Sequence, residues 1–154
     1  MIFGLPLGCA DQAQRAGPAD TELAKTTPAP SEYPVGEPAK LDDVTLTVNT
    51  VERNYTPNNA PSLSPRPGNE FIRVNVTLSN EGKSRADYNE FYYKVRDSRG
   101  VERGVSLVPG VSQGLTLGTI APGETVTGNM VFEVPQGDNG LKLIVGNGDV
   151  IVKL

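Results

Sequence analysis

The chain has 154 residues, a length that suits one domain with a tail better than two domains. Its 14 basic and 18 acidic residues give a net charge of −4 without a basic run, which argues against nucleic-acid binding and against polybasic attachment to an anionic membrane. With no histidine and one cysteine, Cys9, the chain has no means for Ser-His-Asp or Cys-His catalysis, a Cys/His metal cage or an internal disulfide. Met1 and Met130 are the only methionines, too few for a soft copper site. Carboxylate chemistry, calcium held by oxygens, or no chemistry at all remain. No cofactor is expected.

Residues 1–9 form a short apolar run ending in Gly8-Cys9, and the chain turns polar at once with Ala10-Asp11-Gln12. Small residues ahead of a cysteine resemble the end of a bacterial lipoprotein signal, in which that cysteine is lipidated. Pro6 inside the run and the lack of Lys or Arg before it depart from the pattern, as expected if part of the signal lies upstream. Cys9 is therefore the candidate lipidation site, and a membrane anchor on it the expected attachment.

Residues 10–34 carry Pro18, Pro28, Pro30 and Pro34 among Ala, Thr, Gln and Glu, with Leu23 and Tyr33 as nearly the only large apolar residues. Such a segment buries too little surface to offset its ordering entropy, so a disordered tether is expected there.

From Val35 to Leu154 the texture changes to short alternating runs separated by Gly, Pro, Asn and Asp. Val44, Leu46, Val48 and Val51 predict a half-buried strand at about 43–53. Ile72, Val74, Val76 and Leu78, alternating with Arg73, Asn75 and Thr77, give the clearest period of two. Phe91, Tyr93 and Val95 are expected to face inward, leaving Tyr92, Lys94 and Arg96 outside. Asp97-Ser98-Arg99-Gly100 predicts a turn into a short strand near Val101–Val105. Val126, Met130, Phe132 and Val134 mark a strand opened by Ala121-Pro122-Gly123-Glu124, and Leu141–Val145 and Val150–Leu154 flank a Gly146-Asn147-Gly148-Asp149 turn. No window carries a helical stripe, and no apolar stretch is long enough to span a membrane. About seven to nine antiparallel strands at this spacing predict an all-β sandwich, with a closed barrel as the rival.

Val35-Gly36-Glu37, the run Phe71 to Gly82, the aromatic strand, Asp97-Ser98-Arg99-Gly100, Ala121-Pro122-Gly123-Glu124, and Val131 to Pro135 follow one another in an order that carries a resemblance. The chain over 35–154 resembles the immunoglobulin-like domain of unknown function found in many bacterial lipoproteins and secreted proteins, akin in fold to the mycobacterial immunoprotective extracellular antigen. The resemblance implies a sandwich outside the cytoplasm and brings no catalytic residues. In physical terms, Asn80-Glu81-Gly82 is expected to end a strand with positive φ, Pro122-Gly123 to preset a turn, and Pro135 to end a strand or lie at an edge.

Three regions are candidate sites. The long loop Asn54–Asn69 holds Tyr55 and Arg66, residue types that anchor interfaces, and reads either as a binding loop or as a tolerated insertion. Tyr92 with Lys94 and Arg96 makes an exposed aromatic flanked by cations, suited to docking a protein or glycan, or else an ordinary cross-strand residue. Asp42-Asp43, Asp87 with Glu90, and Asp138-Asn139-Gly140 are acidic pieces that calcium could bridge, although no spaced ligand loop is present. The expected function is that of a non-enzymatic, extracytoplasmic module that binds or scaffolds an envelope or external protein. The alternatives are a calcium-dependent carbohydrate-binding module, a carboxylate-based hydrolase accessory domain, and an accessory subunit pairing through a sheet edge.

Overall fold

A computed structural model describes residues 31–154 apart from Asn59 and Pro61. Cys9, the leader 1–9 and residues 10–30 of the expected tether lie outside the described residues.

Eleven strands occur among the described residues: β1 (Ser31–Pro34), β2 (Ala39–Leu41), β3 (Val44–Glu52), β4 (Asn69–Asn80), β5 (Ala86–Asn89), β6 (Tyr93–Arg96), β7 (Glu102–Gly104), β8 (Leu117–Ile120), β9 (Thr125–Pro135), β10 (Lys142–Val145) and β11 (Val150–Lys153). They form a five-stranded sheet in the order β1-β11-β10-β6-β7, a four-stranded sheet in the order β2-β3-β4-β9, and a β5-β8 pair. All pairings are antiparallel except that of β1 with β11. The expected sandwich is what forms. The strand number exceeds the expected seven to nine because β1, β2, β5 and β8, three or four residues long, carry no alternating signal of their own.

The two long strands β4 and β9 pair over eleven positions, from Asn69↔Pro135 to Ser79↔Thr125, and form the spine of the four-stranded sheet. Ile72, Val74, Val76 and Leu78 on β4, with Met130, Phe132 and Val134 on β9, are buried between the sheets against Val95, Leu143 and Val152. Burying a side chain of this size contributes about 1.5–3 kcal/mol. On β3 the inward phase shifts from Val48 to Val51 because Asn49 is the extra residue of a bulge, Val48 pairing with Val76 and Thr50 with Asn75. The side-chain amide of Asn49 donates to Asn75 Oδ1 at 2.7 Å, and that of Asn75 to Asn129 Oδ1 at 2.7 Å, forming a polar ladder on the sheet's outer face.

The folded region begins earlier than Val35. Ser31–Pro34, expected to belong to the tether, pair with Val150–Lys153, and Glu32 bonds the ammonium groups of Lys142 at 2.8 Å and Lys153 at 3.2 Å. A free strand edge on β11 supplies the hydrogen-bond partners that composition alone could not reveal. The other margins are short or covered. Residues 105–115 cross the edge of β9, where Ser106 N donates to Val131 O at 2.7 Å and Leu115 N to Asn129 O at 2.9 Å. Gly128 permits that crossing, because a Cβ there would stand 2.8–2.9 Å from the backbone and Cβ of Leu115. Among the described residues, the margins at which a partner strand could pair are the short β1, β2 and β7 and the outer edges of the β5-β8 pair. No helix among the described residues is long and apolar enough to cross a membrane.

Candidate functional site

The chain ends of the sheets define two ends of the sandwich. One carries the Asp42–Asp43 turn, the start of β6 and the end of β10. The other carries Arg53–Tyr55, Arg66, the Asp97–Gly100 turn and Asp138. The candidate residues divide between them.

At the second end, Tyr55 is only 6 % exposed and packs with Phe71 and Val131, the guanidinium of Arg73 lying 5.1 Å from its ring centroid. The expectation that Tyr55 anchors a partner is corrected: its ring seals a small second core on the outer face of the four-stranded sheet. The loop is pinned as well, Tyr55 N donating to Phe71 O at 2.8 Å and Asn54 N to Glu70 Oε2 at 2.8 Å. Arg66 is exposed, its backbone N–H donating to Glu133 Oε1 at 3.1 Å.

The acidic residues at this end serve the fold. Glu70, 3 % exposed, accepts from the Arg53 guanidinium, which holds its carboxyl below the usual range against the opposing effect of burial; the Gly137 and Asn54 amides add to the lowering. Asp97 sits in its turn, where burial opposes ionisation but the Val101 and Arg99 amides and the Arg103 and Arg99 guanidinium groups outweigh it and bring its pKa to about 2. The Ser98 and Gly140 amides similarly lower Asp138. No three carboxylates gather closely enough to hold a metal ion among the described residues.

At the first end, Asn89 turns the chain out of β5. Its Oδ1 accepts from Phe91 N at 2.9 Å, winding Glu90–Tyr92 into a single 3-10 turn, and Glu90 N donates to Thr116 O at 2.9 Å. Gly146 N donates to Tyr92 O at 2.9 Å, so the turn is bonded on both sides. The expectation that Phe91 faces inward is therefore corrected. Alternation holds from Tyr93 through Val95, but the turn rotates Phe91 out, leaving Phe91 56 % and Tyr92 57 % exposed. An Asn followed by Glu-Phe was the available signal, and the neighbouring aromatic run masked it.

Phe91, Tyr92 and Lys94 line one shallow depression of about 370 Å³ with Gly146 and Asn147. Arg96 lies further along β6 and pairs with Glu102 at 2.7 Å, so it is engaged within the sheet. The fold thus brings Tyr92 and Lys94 together with Phe91, and separates them from Tyr55 and Arg66.

Two further cavities are of similar size. One, of about 400 Å³, lies under Val105–Val111, and burial raises the pKa of its single lining carboxyl, Glu90. A glycosidase-like mechanism needs a second carboxylate across the cavity, and none lines this one. The other, of about 330 Å³, opens at the Asp42–Asp43 turn between the sheets.

Solved structures with this arrangement include the yjhA protein of Bacillus subtilis, 22 % identical with a TM-score of 0.61 over 79 % of this chain and 98 % of that one. The secreted protein MPT63 of Mycobacterium tuberculosis is 14 % identical, with a TM-score of 0.63 over 83 % of this chain and all of that one. The ycdA protein of Bacillus subtilis, a candidate lipoprotein, is 20 % identical with a TM-score of 0.57, the match covering 69 % of this chain and 32 % of ycdA. At these identities the likeness is one of fold. No curated protein matches the sequence. Residues 33–153 match the family model described as Domain of unknown function (DUF4352), and the chain belongs to that family.

Proposed function

We propose that this chain is a non-enzymatic module working outside the cytoplasm, held to a membrane by lipid on Cys9, and that it binds or scaffolds an envelope or external protein. The carrying observation is the hydrogen-bonded turn that holds Phe91 and Tyr92 more than half exposed beside Lys94. Two adjacent aromatics held more than half exposed forgo part of the roughly 1.5–3 kcal/mol that full burial of such a side chain contributes, and contact with a partner recovers it. Aromatic rings beside a cation are the composition of interface centres.

Location is supported by the lipoprotein-like Gly8-Cys9 junction and by the company of the fold, which includes the secreted MPT63 and the candidate lipoprotein ycdA. The absence of catalysis is supported by the missing histidine and by the structural use of Glu70, Asp97 and Asp138.

Expression of the full chain behind a complete export signal in a Gram-positive host tests both parts. Cys9→Ser is expected to move the protein from membrane to medium, and continued membrane retention contradicts the anchor. A membrane-impermeant crosslinker is expected to give a discrete larger adduct with the parent protein and none with Phe91→Ser/Tyr92→Ser. An undiminished adduct from that variant contradicts the proposed surface.

A further inference from the structure

The cavity of about 330 Å³ at the Asp42–Asp43 turn combines three features. Its floor is apolar, with Leu78, Ile120 and Val145 among the lining residues. Three aromatic rings, Tyr88, Tyr92 and Tyr93, contribute to its walls. Its charged lining residues are all carboxylates, Asp42, Asp43 and Asp87, with no lysine or arginine among them. None of these three carboxylates is in an ion pair among the described residues.

The chain builds these walls at some expense. Asp42 occupies the left-handed region at φ 54°, a conformation that few non-glycine residues adopt, to turn β2 into β3. The ring of Tyr88 lies across from Gly118, where a Cβ would come within 2.7 Å of the tyrosine Oη, so the glycine gives the ring its place. Asp43 packs against Gly82, where a Cβ would stand 2.7 Å from the Asp43 side chain. Asp87 accepts from Thr119 Oγ1 at 3.1 Å, which orients it and leaves its second oxygen free of that bond. Tyr93 is 5 % exposed, and burial pushes its phenol up to about 12, so a neutral hydroxyl adjoins the cavity.

We infer that this cavity binds an organic cation, an ammonium or guanidinium group carried on a short apolar body. The carboxylates supply charge complementarity and the tyrosine rings supply faces on which a cation is favoured by about 0.5–2 kcal/mol. A bare metal ion fits poorly, since the three carboxylates do not approach closely enough to share one. The volume is at the small end of ligand cavities, which span roughly 300–1,000 Å³. The cavity shares Tyr92 and Gly146 with the proposed protein-docking surface, but its carboxylates Asp42, Asp43 and Asp87 lie outside that surface, so the Asp→Asn variants test it separately.

The test is an NMR titration of the 15N-labelled protein, full chain, with benzylammonium chloride, using benzyl alcohol as the uncharged match and sodium chloride to hold ionic strength. Saturable shifts are expected at the amides of Asp43, Ala86, Tyr88 and Ile120, with benzyl alcohol at least about tenfold weaker. Asp43→Asn/Asp87→Asn is expected to weaken benzylammonium about tenfold and leave benzyl alcohol unchanged. If that variant does not fold, Asp42→Asn/Asp87→Asn carries the same expectation, because Asn also tolerates the conformation of Asp42. Nα-acetyl-lysine methylamide separates the sources: binding at the same amides means a basic side chain of a peptide suffices, and binding by benzylammonium alone means that the ammonium must sit on a compact apolar body. The inference is overturned by non-saturating shifts, by equal affinity for the alcohol, or by Asn variants that bind benzylammonium as tightly as the parent.

Discussion

The side-chain amide of Asn80 donates to the carbonyl oxygen of Ile120 at 2.9 Å, joining the end of β4 to the end of β8. The same amide reaches Ser84 O at 2.8 Å, its Oδ1 accepts from Gly82 N at 2.9 Å, and the whole side chain is buried. Three elements around the acidic cavity are thereby held by one residue.

Asn80→Ala leaves the buried Ile120 carbonyl without this partner, at about 1–3 kcal/mol, and removes the bonds to the more exposed Ser84 O and Gly82 N. A loss of at least 2 kcal/mol is expected, and with it a melting point lower by roughly 6–12 °C. Urea denaturation and a thermal melt check it. A variant within 0.5 kcal/mol of the parent contradicts the role assigned to Asn80.

Acid should weaken the fold through Glu70 and Asp97. Both carboxyls sit below their unfolded values, so the stability they contribute is complete above about pH 4.5 and is lost as pH falls through the folded values. For Asp97 the window runs from 3.8 down to about 2. Denaturation followed from pH 7 to pH 2 should show the parent losing stability below about pH 4.5, with a shallower loss in Asp97→Asn. Glu70→Gln should cost about 1–3 kcal/mol at pH 7. Parallel pH curves for parent and Asp97→Asn contradict the assignment.

Gly128→Ala sets a methyl against the backbone of Leu115, which cannot yield without moving the segment that covers β9. A cost of about 1–3 kcal/mol is expected, as for other overpacked sites. Gly104→Ala, with open space around the new methyl, should stay within about 0.5 kcal/mol. Equal effects from the two substitutions contradict the close approach.

Where the domain begins is open to the same kind of test. A chain starting at Ser31 keeps β1 on the edge of β11, and one starting at Val35 loses four ladder positions and both ion pairs of Glu32. The shorter chain should melt several degrees lower. Coincident melting curves contradict a structural role for β1.

Much of the fold is legible in the sequence where a strand buries one face. Ile72 to Leu78 and Met130 to Val134 alternate because only one face meets the core, and Pro122-Gly123 and Pro135 act as their chemistry implies, Gly123 taking φ +82° and Pro135 closing β9. Gly82 was legible as a boundary but not in its reason, which is the close approach of Asp43 and not a positive φ. Tyr55 and Phe91 mislead for a common cause. Alternation carries no information about which loop will fold back on a sheet or where a side-chain cap starts a turn, so the buried aromatic looks free and the exposed one looks buried. The acidic cavity brings Asp42 and Asp43 of the β2-β3 turn beside Asp87 of β5, a placement that depends on how the two sheets meet.

The most direct test of the proposed role is a photo-crosslinking comparison of the two ends in intact cells. A photoreactive amino acid is placed singly at Phe91, at Tyr92 or at Arg66 in the exported full-length protein, each position being exposed. The account predicts a discrete protein adduct from positions 91 and 92 and none from 66. Adducts from 66 with none from 91 and 92, or the same adduct pattern from all three, contradict it.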